Sequence, residues 1–336
     1  MENTDNSSLM TVCRGLNILG LTHGLGSNNK ELIYNPIFFE RGEIYSEVTN
    51  WENLAPIECS SKMDSNFLLF DDANLPFDIK LEEEKLYIQG DIGRIERDCF
   101  DKRWSILGNM GIWFRYILRM QENHEIFSLH AASIYKPEQN ELVIIAGKAG
   151  AGKTVFLLES IIKGYQIFST EMTYFQIKTK GITFYRGALM DNIRVGCLQF
   201  DFPEAADKLG LNLPKVSNPW SHKISVDMYS VTTINNELVN PNLLFIFPRI
   251  EKGQENAVVE NVSQQRTLLR MLYEVASEKI GNTLLINEEL PAVGFDTPVL
   301  AKNRWKAIKT LVTAPQWEVK QAISILAGPK SCKEVI

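Results

Sequence analysis

The feature that most constrains this chain is Gly147-Lys148-Ala149-Gly150-Ala151-Gly152-Lys153-Thr154, set between two apolar runs, Leu142–Ala146 and Val155–Ile162. It satisfies G-x-x-x-x-G-K-[ST] at every position. Glycines let the backbone curl until successive N–H groups point inward, a concave nest for phosphate oxygens. The run before the loop has the length of a buried strand. The run after it reads as a helix with one buried side, whose N-terminus adds partial positive charge. Lys153 is placed to neutralise β- and γ-phosphates, and the Thr154 hydroxyl to ligate Mg²⁺. Gly164 stops the helix, because glycine enters the left-handed region cheaply, and Tyr165–Phe168 begins a further strand. Strand, glycine loop, helix and strand make a βαβ-type unit, and the stretch Gly147–Thr154 is expected to bind ATP or another nucleoside triphosphate.

Around this unit the chain divides in two. Residues 1–122 carry short apolar runs, Leu32–Phe39, Phe67–Phe70, Lys80–Leu81 and Lys85–Gln89, separated by turn chemistry at Asp71–Asn74 and Gly90–Gly93. These predict a smaller, mostly β (α+β) first domain of unassigned role. Trp104–Met120 has apolar residues at helical spacing (Ile106, Met110, Trp113, Phe114, Ile117) and reads as core. Gln121–Glu125 is a polar break, which places the second domain at 123–336. There the pattern predicts a strand at Ser128–Ile134, a turn at Lys136–Asn140 and a short strand at Leu243–Phe247. It also predicts amphipathic helices at Ser263–Lys279 and near Ala301–Val312, and a last strand at Ala322–Leu326. The fold class expected is α/β. The run Glu82-Glu83-Glu84 reads as a solvated turn.

The chain of 336 residues is 45% hydrophobic and 23% charged, enough to bury a full core. Its net charge of -6 and lack of a basic stripe argue against a nucleic-acid partner. Five cysteines, at 13, 59, 99, 197 and 332, show no CxxC pair and no ligand spacing with histidine. They read as reduced thiols rather than a disulfide framework or zinc site. No apolar run approaches the length of a membrane span, and the polar N-terminus lacks a signal-peptide pattern. A cytoplasmic protein with no membrane partner is expected.

With the loop in place, three segments resemble the catalytic domain of the HPr kinase/phosphorylase family. Leu129-His130-Ala131-Ala132 resembles the family's M/L-H-G, one strand before the loop. Lys163-Gly164-Tyr165-Gln166-Ile167-Phe168-Ser169-Thr170-Glu171 resembles R-G-H-x-L-V-A-D-D at the same distance from the loop lysine. Arg186-Gly187-Ala188-Leu189-Met190-Asp191-Asn192-Ile193-Arg194 is similar to R-G-x-x-x-x-N-V-R in register. The resemblance ends at Arg194, and residues 1–122 do not align with that family's own first domain.

The resemblance implies a P-loop core like that of HPr kinase and phosphoenolpyruvate carboxykinase. It also implies ATP- and Mg²⁺-dependent phosphoryl transfer to a hydroxyl, serine first, of a peptide, small protein or small molecule, and a homo-oligomer. Lys153, Glu171, His130, Asp191 and Arg194 become candidate catalytic residues, and Thr154 and Glu171 candidate Mg²⁺ ligands. Arg186 and Arg194 could each clamp phosphate through a fork of donors. Thr170 departs from the family, which has an acid there as proposed general base. A threonine hydroxyl cannot take a proton at neutral pH, so Glu171, Asp191 or His130 inherits the role, or the proton leaves late. Two other readings stay open: an ATP-binding regulator or scaffold with impaired catalysis, and a different P-loop NTPase.

Overall fold

The computed structural model describes residues 11–39, 55–59, 62–108, 110–232, 235–251, 253–286, 290–292, 294–315, 317–329 and 331–334. The architecture is mixed α/β. The chain forms two compact units, one from Met1–His124 with Ile280–Phe295, the other from Glu125–Lys279 with Asp296–Ile336. The second stretch of the first unit falls inside the span 123–336 that the sequence assigns to the second domain. The polar residues 1–8 and part of the turn-rich 287–298 lie outside the described residues.

The first unit is built on a six-stranded sheet of β1 (Val12–Ile18), β2 (Leu21–Ser27), β3 (Ala55–Ile57), β4 (Ser65–Asp71), β5 (Asp78–Glu82) and β6 (Lys85–Gly90), in the order β3-β1-β2-β4-β6-β5. Leu19 and Gly20 both take positive φ between β1 and β2, matching a two-residue hairpin turn. Glu83, with φ 50°, makes the β5–β6 turn, so the acidic run is a hairpin tip. The run Leu32–Phe39, expected to be β-like, instead forms two short helices, α1 (Lys30–Ile33) and α2 (Pro36–Phe39). Asn29 caps the first by accepting from Glu31 N–H, and Pro36 supplies a ready φ for the second. Gly90–Gly93 is likewise not a plain turn: Asp91 accepts from Arg94 N–H and starts α3 (Ile92–Asp98).

The helix expected from Trp104 begins only at Ile112, as α4 (Ile112–Asn123). At Gly111, its N-cap, a Cβ would lie 1.9 Å from Ser105 O, so the backbone doubles back too tightly for the helix to start earlier. α4 is buried on most of its surface, and Tyr116 ties it to the sheet by donating to Glu84 O at 2.6 Å or Asn66 O at 3.0 Å. Arg115 and Arg119 donate to Asn282 O and Phe295 O, holding the returning stretch, which carries the hairpin β18 (Leu284–Ile286) and β19 (Leu290–Ala292).

The reading of five reduced thiols is corrected here. Cys13 on β1 and Cys59 just beyond β3 are joined by a disulfide, their Cα atoms 6.0 Å apart, while Cys99, Cys197 and Cys332 are free. Pairing of β1 with β3 brings these half-cystines together across a separation of 46 residues, which sequence spacing does not reveal. Among the described residues no helix is long and apolar enough to cross a membrane.

The second unit centres on another six-stranded sheet: β8 (Ala131–Lys136), β9 (Glu141–Ala146), β10 (Gln166–Ser169), β16 (Asn242–Ile250), β17 (Val258–Asn261) and β20 (Val319–Ala327), in the order β10-β8-β9-β16-β20-β17. β9, β16 and β20 run parallel, and β8 lies antiparallel between β9 and β10. The βαβ-type unit therefore exists as β9, α5 (Lys153–Ile162) and β10, with β8 inserted between its two strands. Along β9, Leu142, Ile144 and Ala146 enter one core, with α7 (Gln265–Gly281) and α8 (Pro298–Thr313). Val143 and Ile145 enter the other, with α5 and α6 (Pro203–Lys208). Strand alternation thus divides one apolar run between two layers of helix.

A four-stranded antiparallel sheet, β15-β12-β11-β7, adds Phe127, Phe175 and Phe184 to the first of these cores. Its strands are β7 (Ile126–Leu129), β11 (Thr173–Lys178), β12 (Gly181–Tyr185) and β15 (Glu237–Val239), and β13 (Met190–Arg194) pairs separately with β14 (Lys223–Asp227). The single strand expected at Ser128–Ile134 is broken at His130, because β7 and β8 belong to different sheets.

Candidate functional site

β9 ends at Ala146, and the chain turns through 147–152 before α5 begins at Lys153. Gly150 and Gly152 hold φ at 82° and 106°, where a side chain is strained. At Gly152 space is also closed: a Cβ would stand 2.1 Å from Ile250 Cγ1. Ile250 N–H donates to Ala151 O at 3.1 Å, so the end of β16 braces the loop. Lys148, Ala149 and Gly150 are exposed. A glycine N-cap offers no side chain to the first N–H groups of α5, which leaves them to an anionic ligand.

Lys153 Nζ donates to Gly147 O at 2.7 Å and lies 3.4 Å from His130 Nε2. Its pKa is lowered, first by burial and then by the Lys279 charge, against the pull of Glu171, Glu278 and Asp191. His130, buried at the break between β7 and β8, has Nδ1 2.8 Å from Glu278 Oε2. A carboxylate only accepts, so Nδ1 carries a hydrogen toward Glu278, and Nε2 faces both Lys153 and Glu171. Backbone geometry supports this placement, since His130 N–H donates to Val275 O on α7 at 3.3 Å.

Glu171, just past β10, has Oε1 3.1 Å from Lys279 Nζ and 3.6 Å from His130 Nε2. Burial alone would raise its pKa, but the Lys279 ammonium and then His130 outweigh that and hold the carboxyl well below the usual range. Its side chain remains 36% exposed, so one edge reaches solvent.

Asp191 comes from β13 and accepts the Thr154 hydroxyl at 2.8 Å. Burial pushes its carboxyl up to about 6, with the Glu171 charge adding and the Thr154 hydrogen bond opposing. Thr170 is buried, and its hydroxyl donates to Met190 O at 2.7 Å or Ala188 O at 2.9 Å. Its own N–H donates to Ala188 O at 3.0 Å. Thr170 is therefore a peg that holds the backbone leading into Asp191.

The structure brings Lys153, Thr154, His130, Glu171 and Asp191 to one loop mouth. Arg194 is exposed on the same strand as Asp191, but an odd number of residues away, and so on the opposite face. Arg186 is buried, its guanidinium 5.9 Å from the Tyr229 ring centroid. Two members of the cluster, Glu278 and Lys279, have no counterpart among the sequence candidates. They sit in the last turn of α7, more than a hundred residues from their partners, and nothing in the local pattern distinguishes them from solvated charges. Comparison with family models matches none of them, and no curated protein sequence matches the chain.

Among the described residues no group of three or more His, Cys, Asp and Glu side chains is arranged to hold a metal alone. Magnesium carried in with a nucleotide needs less: phosphate oxygens and waters supply most of its ligands, and one or two carboxylates suffice. The Thr154 hydroxyl beside the Asp191 carboxylate fits that demand.

Proposed function

We propose that this chain is an ATP-dependent kinase, with a P-loop core of the HPr kinase/phosphoenolpyruvate carboxykinase kind, that phosphorylates a hydroxyl of a peptide, small protein or small molecule. One observation carries the reading: a glycine loop in an unstrained strand-to-helix turn, with an ammonium, a hydroxyl, an imidazole and two carboxylates gathered at its mouth. The loop amides and the start of α5 hold the β- and γ-phosphates, and Lys153 shifts from the Gly147 carbonyl to phosphate oxygen. Magnesium, when bound with the nucleotide, neutralises charge developing between β- and γ-phosphates.

The acceptor oxygen attacks the γ-phosphorus as the bond from phosphorus to the bridging β–γ oxygen breaks, and ADP departs. The loose transition state lets the hydroxyl proton leave late, so a weak base serves. Glu171, kept ionised by Lys279 and open to solvent on one edge, receives it. ATP supply places such an enzyme in the cytoplasm, where the Cys13–Cys59 bond meets reducing thiols.

Titration calorimetry with Mg²⁺·ATP tests the binding half, and transfer of labelled γ-phosphate to serine-bearing peptides and hydroxylated metabolites tests the chemistry. Lys153→Ala is expected to weaken ATP binding by about tenfold or more and to abolish transfer. Absence of measurable ATP or GTP binding by the wild type overturns the reading. A second reading, an ATP-binding regulator without turnover, is favoured by Thr170, whose hydroxyl is spent on backbone carbonyls. It predicts intact binding with no transfer to any acceptor.

A further inference from the structure

We infer that Asp191, rather than Glu171, is the carboxylate that joins Thr154 in holding Mg²⁺; this rests on the kinase reading above. Sequence position favours Glu171, which follows β10 as an acid follows a strand in the resembling family. Geometry favours Asp191. Its Oδ2 already accepts the Thr154 hydroxyl at 2.8 Å. A threonine ligates a cation through an oxygen lone pair and keeps its hydrogen, so this contact persists when the ion arrives, and the second carboxylate oxygen remains for the ion or its water.

The aim of Asp191 is fixed by three features of the fold. β13 pairs in unbroken register with β14, from Met190↔Asp227 to Arg194↔Lys223. Ile193, two residues on and on the same strand face, is buried in the core beneath α5. Thr170 pins the carbonyls of Ala188 and Met190 immediately before the carboxylate. Glu171, by contrast, spends Oε1 on Lys279, with His130 beside it. Drawing Glu171 to the metal would leave Lys279, a buried residue, without that carboxylate. The division of labour is then clear: Asp191 serves the cation, and Glu171 serves the acceptor's proton.

The test measures ATP affinity twice for each protein, in Mg²⁺ and in EDTA, using wild type, Asp191→Asn and Glu171→Gln. Asparagine still accepts the Thr154 hydroxyl, and binding in EDTA shows that each variant retains its loop. The gain in affinity on adding Mg²⁺ is read within each protein, so altered charge around the phosphates cancels. Asp191→Asn is expected to lose that gain by about tenfold or more, while Glu171→Gln keeps it. Electron paramagnetic resonance of Mn²⁺ titrated with ATP gives a second readout, weakened retention of Mn²⁺ in Asp191→Asn alone. A full gain in Asp191→Asn, or an equal loss in both variants, overturns the assignment. Absence of wild-type ATP binding in both buffers instead removes the kinase reading itself.

Discussion

Thr170 occupies a position where the resembling family places an acid, and its surroundings explain why an acid would not be accepted here. Its side-chain oxygen faces two carbonyl oxygens, Ala188 O and Met190 O, both acceptors. A hydroxyl satisfies one by donating; an ionised carboxylate would satisfy neither and would lose its own hydration. Thr170→Asp is therefore expected to lower stability by about 2–4 kcal/mol and to leave phosphoryl transfer no faster. Thermal melts and labelled transfer check both, and a stable, faster enzyme would refute the peg role. A second buried acid gives a pH signature. Glu96, whose Oε1 accepts Ile106 N–H at 2.6 Å, is pushed by burial from 4.5 to about 7, its hydrogen bonds to Ser105 and Ile106 only partly opposing this. The folded state then holds its proton more tightly than the unfolded state. Stability from this group is complete below the unfolded value of 4.5 and is lost progressively as pH rises to about 7. The loss is of the order of a few kcal/mol. Chemical denaturation of the wild type should show that decline, and Glu96→Gln should flatten it; an unchanged slope in the variant would assign the decline elsewhere.

At the scale of elements, Arg304 on α8 ties the helix to the chain that leads into it, through Asp296, and to α7, through Ser277. Arg304, fully buried on α8, donates to Asp296 Oδ1 at 2.9 Å and Oδ2 at 3.0 Å, and to Ser277 Oγ on α7 at 3.0 Å. Removing the carboxylate takes the counter-charge from a fully buried guanidinium, so Asp296→Ala is expected to cost about 3–5 kcal/mol. Arg304→Met combined with Asp296→Ala should cost less than Asp296→Ala alone, a coupling that a double-mutant cycle by urea denaturation measures. Additive costs would mean that the pair does not act as a unit. Elements whose identity depends on local chemistry were readable from the sequence. The glycine loop, α5 and β9 follow from motif and periodicity, and the helical stripe of Leu268, Leu269, Leu272 and Ala276 is the face of α7 that enters the core. Features set by distant pairing were not readable. A continuous strand-like stretch through His130 cannot reveal that Phe127 and Ile134 pair in different sheets. The insertion of β8 inside the βαβ-type unit is likewise a matter of sheet order. Glu278 and Lys279 enter the site only because α7 passes the break at His130, which the helix's own periodicity cannot report.

For the molecule as a whole, the disulfide bears on the unit that does not contain the phosphate loop. Cys13–Cys59 closes a loop with a sequence separation of 46 residues inside the first unit. Restricting a loop of that length in the unfolded chain is worth about 4 kcal/mol on the chain-entropy account. The bond lies at the sheet margin, where β3 pairs with β1 through three residues, Gly15↔Ile57 to Asn17↔Ala55. That pairing spans three residues, whereas β1 with β2 pairs through a continuous hairpin from Val12↔Ser27 to Ile18↔Leu21. Reduction is therefore expected to release β3 first. Hydrogen exchange followed by mass spectrometry, with and without a thiol reductant, should show faster exchange at 55–57 and a smaller rise at 12–18. A variant carrying both Cys13→Ser and Cys59→Ser should exchange quickly at 55–57 in either buffer and ignore the reductant. If reduction leaves exchange at 55–57 unchanged, β3 is held by its ladder alone and the covalent link contributes nothing to this margin of the sheet. If it rises as expected, part of the first unit is conditional on the redox poise of the thiols around the protein.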